Sequence, residues 1–122
     1  MAATISDAVF DAALNFLETN GTVVHILTQA ITAWADVATY TKGNKTACTY
    51  DGPADGTSGR KTILEAITGG SVTGSGTVTH FAITNGSDAV YVCQELDASQ
   101  AVTSGNTFTL TACTIQLSDP TA

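Results

Sequence analysis

Two histidines, three cysteines and 11 acidic residues are the groups in this 122-residue chain able to hold a metal, carry a nucleophile or move a proton. His25 and His80 each fall inside a run that reads as a strand, and alternation puts His80 on the face opposite Phe81 and Ile83. Neither has a second His or Cys at metal-ligand spacing, so both are expected to be hydrogen-bonded structural residues. A nucleophile elbow requires G-x-S-x-G. In Gly70-Ser71-Val72-Thr73-Gly74 the serine directly follows the first glycine, and the spacing fails. The run from Gly56 to Thr62 superficially resembles a phosphate loop, but Arg60 stands where the Walker pattern needs a glycine before Lys61. It reads instead as a solvated loop whose Arg60 and Lys61 pair with carboxylates. Asp51, Asp55, Asp88 and Asp97 could offer oxygens to a hard cation, yet no EF-hand spacing joins them. No catalytic, cofactor-binding or metal-ligating residue is expected, and the chain is not expected to be an enzyme.

Cys48, Cys93 and Cys113 are odd in number and widely spaced, unlike a secreted disulfide framework. Free thiols acting as small hydrophobes are expected, although a Cys93–Cys113 bridge between neighbouring strands is geometrically conceivable. Lys and Arg number 4 against 11 Asp and Glu, a net charge of −7. A protein that neutralises the phosphates of nucleic acid needs a basic face, which four cations do not supply, so neither nucleic acid nor an anionic membrane is an expected partner. No stretch approaches the roughly 18 apolar residues of a membrane span. The first residues lack the basic and apolar regions of a signal peptide, so synthesis in the cytoplasm without export is expected.

The elements that must position these residues divide the chain in two. Residues 1–20 read as an amphipathic helix capped by Thr4, with Asp7 three residues on and Gly21 as a left-handed C-terminal cap. Val9, Ala13, Phe16 and Leu17 form its expected buried face, and Asp7, Asp11, Asn15 and Glu18 its wet one. Residues 21–122 are rich in Thr, Val and Gly, in short runs between turn signals, and read as strands. These are 22–28, 46–51, 60–67, 71–74, 76–84, 88–96, 100–103 and 106–117. Periodicity alone leaves 60–67 open between strand and helix, and 30–40 open between a helical turn and a loop anchored by Trp34. Asn85-Gly86 predicts a tight type I′ hairpin turn, and Ser104-Gly105 the turn of a second hairpin. In 106–117, Phe108 and Leu110 share one face while Cys113, Ile115 and Leu117 share the other, which predicts a bulge or a strand that switches sheets. The expected fold is mainly β. It is a single domain over 1–122, a β-sandwich (jelly-roll or immunoglobulin-like) of about seven or eight short strands with an N-terminal amphipathic helix.

Much of the chain also resembles a family of small proteins encoded among the virion structural genes of tailed phages and prophages. The likeness lies in the strand Gly76–Ile83, the segment from Asp97 to Ala112, and the short acidic tail Ser118-Asp119-Pro120. The leading helix, a Gly43-Asn44-Lys45 turn and a Gly52-Pro53-Ala54-Asp55 loop fit as well, whereas Val92-Cys93-Gln94 departs from the pattern. The resemblance implies no catalytic residue and no cofactor. It implies a virion structural protein, foremost a capsid decoration (cement) protein that acts as a homo-oligomer on the major capsid protein or other virion proteins. A tail, baseplate or fibre-attachment component, or a host-surface binding module built on Trp34, Tyr40 and Tyr50, are the alternatives. Lys42, Lys45, Arg60, Lys61 and Trp34 are the expected partner contacts, because all four cations fall in the middle third of the chain.

Overall fold

A computed structural model describes residues 4–120; the first three residues of the expected helical segment and the last two of the expected domain lie outside them. The order is α1 (Asp7–Asn20), β1 (Val23–Leu27), α2 (Trp34–Tyr40), β2 (Thr41–Lys45), β3 (Tyr50–Asp55), β4 (Arg60–Leu64), β5 (Ile67–Val72), β6 (Gly76–Thr84), β7 (Val90–Val102), β8 (Thr107–Leu110) and β9 (Cys113–Leu117). Six strands form a large sheet in the order β7-β6-β1-β2-β5-β8, and β3-β4-β9 form a small one. All pairings are antiparallel. The fold is the expected β-sandwich with a leading helix. It has nine strands among the described residues, one above the expected range, because 41–45 pairs as a strand on both sides.

The main core lies between the sheets. Val24 and Ile26 of β1, Phe81 and Ile83 of β6, Phe108 and Leu110 of β8 meet Leu64 and Ile115 of the small sheet. Alternation along β1 turns His25 and Leu27 to the other face. There Leu27 and Ala82 pack with Ile31 and Val37 under α2, so the centre of the large sheet is covered on both sides.

Three local readings give way to longer-range pairing. The Asn85-Gly86 turn is longer than two residues, because β6 and β7 pair from Thr84 to Val90. The Asn85 side-chain oxygen accepts the backbone N–H groups of Ser87, Asp88 and Ala89 at 3.0, 2.9 and 3.1 Å, which stabilises the wider loop. Segments 88–96 and 100–103 are one strand, β7. Its pairing with β6 jumps from His80–Glu95 to Val78–Gln100, so Leu96–Ser99 bulge out of register. The turn at Ser104-Gly105 exists, with Asn106 N–H donating to Thr103 C=O at 3.1 Å. It does not join a hairpin, since β8 pairs with β5, where the Phe108 ring occupies the space over side-chain-free Gly70. Residues 106–117 do switch sheets, dividing into β8 and β9.

Candidate functional site

Helix α1 is oriented by polar anchors far away in sequence. Ser6, not Thr4, is its N-cap, and the Ser6 hydroxyl accepts the Ala8 N–H at 3.2 Å. At its other end Gly21 has φ −83°, outside the left-handed region, and its N–H donates to Leu17 C=O. The Gly21 carbonyl accepts both the Tyr50 hydroxyl and the Cys48 thiol, which fastens the helix end to the start of β3 and the residues just before it. Burial pushes both of those groups' pKa values up, so they remain protonated donors at neutral pH. Along the helix, Arg60 donates to both Asp11 oxygens at 2.8 and 3.3 Å, and the Thr62 hydroxyl donates to Glu18 at 2.6 Å.

These anchors turn the helix away from its expected orientation. Asp11 and Glu18, expected to be wet, face β4. Phe10, Leu14 and Leu17 are the buried residues, with Leu14 only 2% exposed. Val9 and Phe16, expected in the core, are 59% and 55% exposed, Ile5 is 37% exposed, and Ala13 is exposed too. The helix therefore has two apolar faces. One packs inward, and the other carries Val9 and Phe16 along the outside at helical spacing, with Ile5 just ahead of the N-cap. Beside it Phe16 meets Tyr91 edge to face at 5.4 Å. A depression of ≈ 230 Å³ extends from there between the helix and Tyr91, Val92, Ile115 and Leu117. Contiguous exposed apolar surface of this kind marks an interaction site more than scattered single residues do. The signal in the sequence was an excess of apolar helix positions over what one stripe can bury.

The expected partner contacts do not converge. Lys42 and Lys45 lie on β2 of the large sheet, Arg60 and Lys61 on β4 of the small one. Arg60 is committed to Asp11 and Asp55, both at 2.8 Å, which raise its pKa and hold its charge in place. Trp34 opens α2 half-buried, edge-on to His25 at 6.1 Å. Tyr40 packs with it against the second cluster and Tyr50 packs half-buried against the main core, so the three aromatics make no shared exposed platform.

Among the described residues no three of His, Cys, Asp or Glu gather as a metal site. No described helix is long and apolar enough to cross a membrane. All three thiols are free. Cys93 accepts the Ile31 N–H on the α2 side, whereas Cys113 accepts Gln94 Nε2 at 3.0 Å facing the interior, so the conceivable bridge between them has no geometry. His80 shares a 2.8 Å hydrogen bond with Thr79.

His25 is buried, with Nε2 at 3.1 Å from the Thr84 hydroxyl and no partner for Nδ1 among the described residues. Burial lowers its pKa below the ordinary 6.5. The unfolded chain then takes up the proton at a higher pH than the fold does. The stability from the neutral ring is complete above 6.5 and is lost as pH falls through and below that value. The melting temperature is expected to drop between pH 7 and pH 5, and His25→Asn is expected to flatten that drop. An unchanged slope in the variant would assign the acid sensitivity to carboxylates instead.

Comparison with models of known protein families, with curated proteins and with solved structures finds no match to this chain.

Proposed function

We propose that this chain is a non-enzymatic structural protein of a tailed-phage virion, and specifically a capsid decoration protein that reinforces the head as a homo-oligomer. The observation that carries the binding part of this reading is the outer face of α1. Val9 and Phe16 lie exposed on a helix whose other face buries Phe10, Leu14 and Leu17, and Ile5, just before the N-cap Ser6, adds to the exposed apolar surface. The virion part rests on the likeness in Gly76–Ile83 and Asp97–Ala112 to the phage family. A capsid lattice presents many equivalent sites, so an oligomer that engages several at once multiplies a modest affinity per site. Apolar contact suits a chain with four cations, one of which is already paired internally.

The test adds purified protein to phage heads stripped of their accessory proteins and scores binding and resistance to heat. The wild-type chain is expected to bind at high copy number and raise the temperature at which heads open. Val9→Ser with Phe16→Ser is expected to abolish binding while leaving the circular dichroism spectrum unchanged. Binding to isolated tails but not heads would replace the decoration role with a tail role. Binding to neither would overturn the virion reading.

A further inference from the structure

The large sheet ends in two strands, β7 and β8, each paired on one side only among the described residues. Its curl brings these edges to the same opening, where Gln100 Nε2 donates across to the Thr109 carbonyl at 3.2 Å. No backbone hydrogen bond joins the two edges among the described residues. Between β7 and the chain running from Thr109 at the end of β8 to Thr114 of β9 lies a cleft of ≈ 530 Å³, floored by Leu64, Phe81 and Leu110. That volume is ordinary for a binding site. One strand of spacing on each side, about 9.5 Å in all, would fit a single added strand between the edges, a gap that one glutamine side chain and its hydrogen bond can span.

The walls are built unlike the rest of the sandwich. Alternation from Val92 and Val102 makes Gln94 and Gln100 inward positions of β7, opposite Phe81 and Val78. Apolar side chains are the rule there, yet both residues are amides. Between them the Leu96–Ser99 bulge interrupts pairing with β6, and Leu96, Asp97 and Ala98 of it line the opening. The lining includes Glu95 and Asp97 and no Lys, Arg or His. Asp97 is near enough to Cys113 to add to the effect of burial in raising that thiol's pKa.

We propose that this cleft binds an extended, basic segment of a partner polypeptide, which adds as a strand to the bare edges and sets its cationic side chains against Glu95 and Asp97. The site is separate from the outer face of α1 and does not rest on the virion reading. The apolar floor takes alternate side chains, the edges supply main-chain hydrogen bonds, and the carboxylates select charge. The Gln100–Thr109 bridge is exposed and gives way at little cost, while the part-buried Gln94–Cys113 bond closes the inner side of the cleft.

The probe is a short labelled peptide alternating lysine and valine, with a glutamate–valine counterpart and a lysine–valine version N-methylated at alternate backbone positions. Fluorescence anisotropy is expected to show binding of the lysine–valine peptide and none of its acidic counterpart. N-methylation, which blocks pairing on one edge, is expected to weaken binding about tenfold. Glu95→Gln with Asp97→Asn is expected to weaken it by a similar factor, about 1.4 kcal/mol; both side chains are exposed, so the fold is not at stake. Amide shifts in NMR spectra are expected to fall on β7 from 94 to 100 and on β8. Equal binding by the N-methylated peptide, an undiminished double variant, shifts confined to other strands, or no binding of the lysine–valine peptide would each overturn the proposal.

Discussion

Leu14→Ala is expected to lower the unfolding free energy by about 2–5 kcal/mol, whereas Phe16→Ala, two residues away on the same helix, is expected to cost only about 1 kcal/mol. Leu14 is 2% exposed and lies between α1 and the sandwich, where the loss of its side chain leaves a cavity. Phe16 is 55% exposed and makes a T-shaped aromatic contact with Tyr91. Val9→Ala, at 59% exposure, is expected to stay within about 0.5 kcal/mol. Urea titration of the three variants reads all of this directly. The same variants separate stability from docking. Leu14→Ala is expected to weaken the fold and with it any binding, while Phe16→Ala and Val9→Ala are expected to spare the fold and, if the proposed decoration role holds, to weaken attachment to heads. A Phe16→Ala loss as large as that of Leu14→Ala would return the helix to the orientation its hydrophobic pattern alone implies, and would remove the apolar face from the surface.

That pattern failed for a physical reason. A helical period shows which residues are apolar, but not which of two apolar faces turns inward when both exist. Here the choice rests on Arg60 and Thr62, which hold Asp11 and Glu18 from 49 and 44 residues away. Periodicity carries no information about contacts at that separation. The elements with local signatures were readable. Alternation marked β6 at its observed bounds and β1 to within a residue at each end, and the phase change after Leu110 marked the switch from β8 to β9. Non-local pairings were not. A single strand, β2, lay hidden in Thr41–Lys45, which carries no aliphatic residue and pairs through its backbone between β1 and β5. The cleft was equally hidden, because it depends on how far a six-stranded sheet curls before its edges meet. Only the amides of Gln94 and Gln100, polar at inward positions of β7, leave a trace of it in the residues.

Gly59→Ala and Gly69→Ala ask how tightly the helix anchor is built. Both glycines have the positive φ that disfavours a side chain, 73° at Gly59 and 69° at Gly69. The strain from that conformation alone is about 1–2 kcal/mol. At Gly69 an added methyl would meet nothing within 4 Å, so strain is the whole expected cost. At Gly59 the methyl would collide with the backbone carbonyl of Leu117 and come within 3.0 Å of the Phe10 ring. A carbonyl held in the β4–β9 ladder, where Arg60 pairs with Leu117, cannot swing aside as a flexible side chain would. Overpacking of this kind adds about 1–3 kcal/mol, so Gly59→Ala is expected to be the more damaging by that margin. The consequence extends past stability. Gly59 directly precedes Arg60, whose guanidinium holds Asp11, and it sits against Phe10, so a shifted loop releases one side of α1 on two counts. Denaturant midpoints with equal slopes for the two variants, together with their binding to heads, measure both effects. Gly69→Ala is expected to bind like the wild-type chain, and Gly59→Ala to bind less well at temperatures where it is still folded. Equal losses in stability would mean that the contact with Leu117 and Phe10 yields freely, and that the outer face of α1 is not held by this corner of the fold.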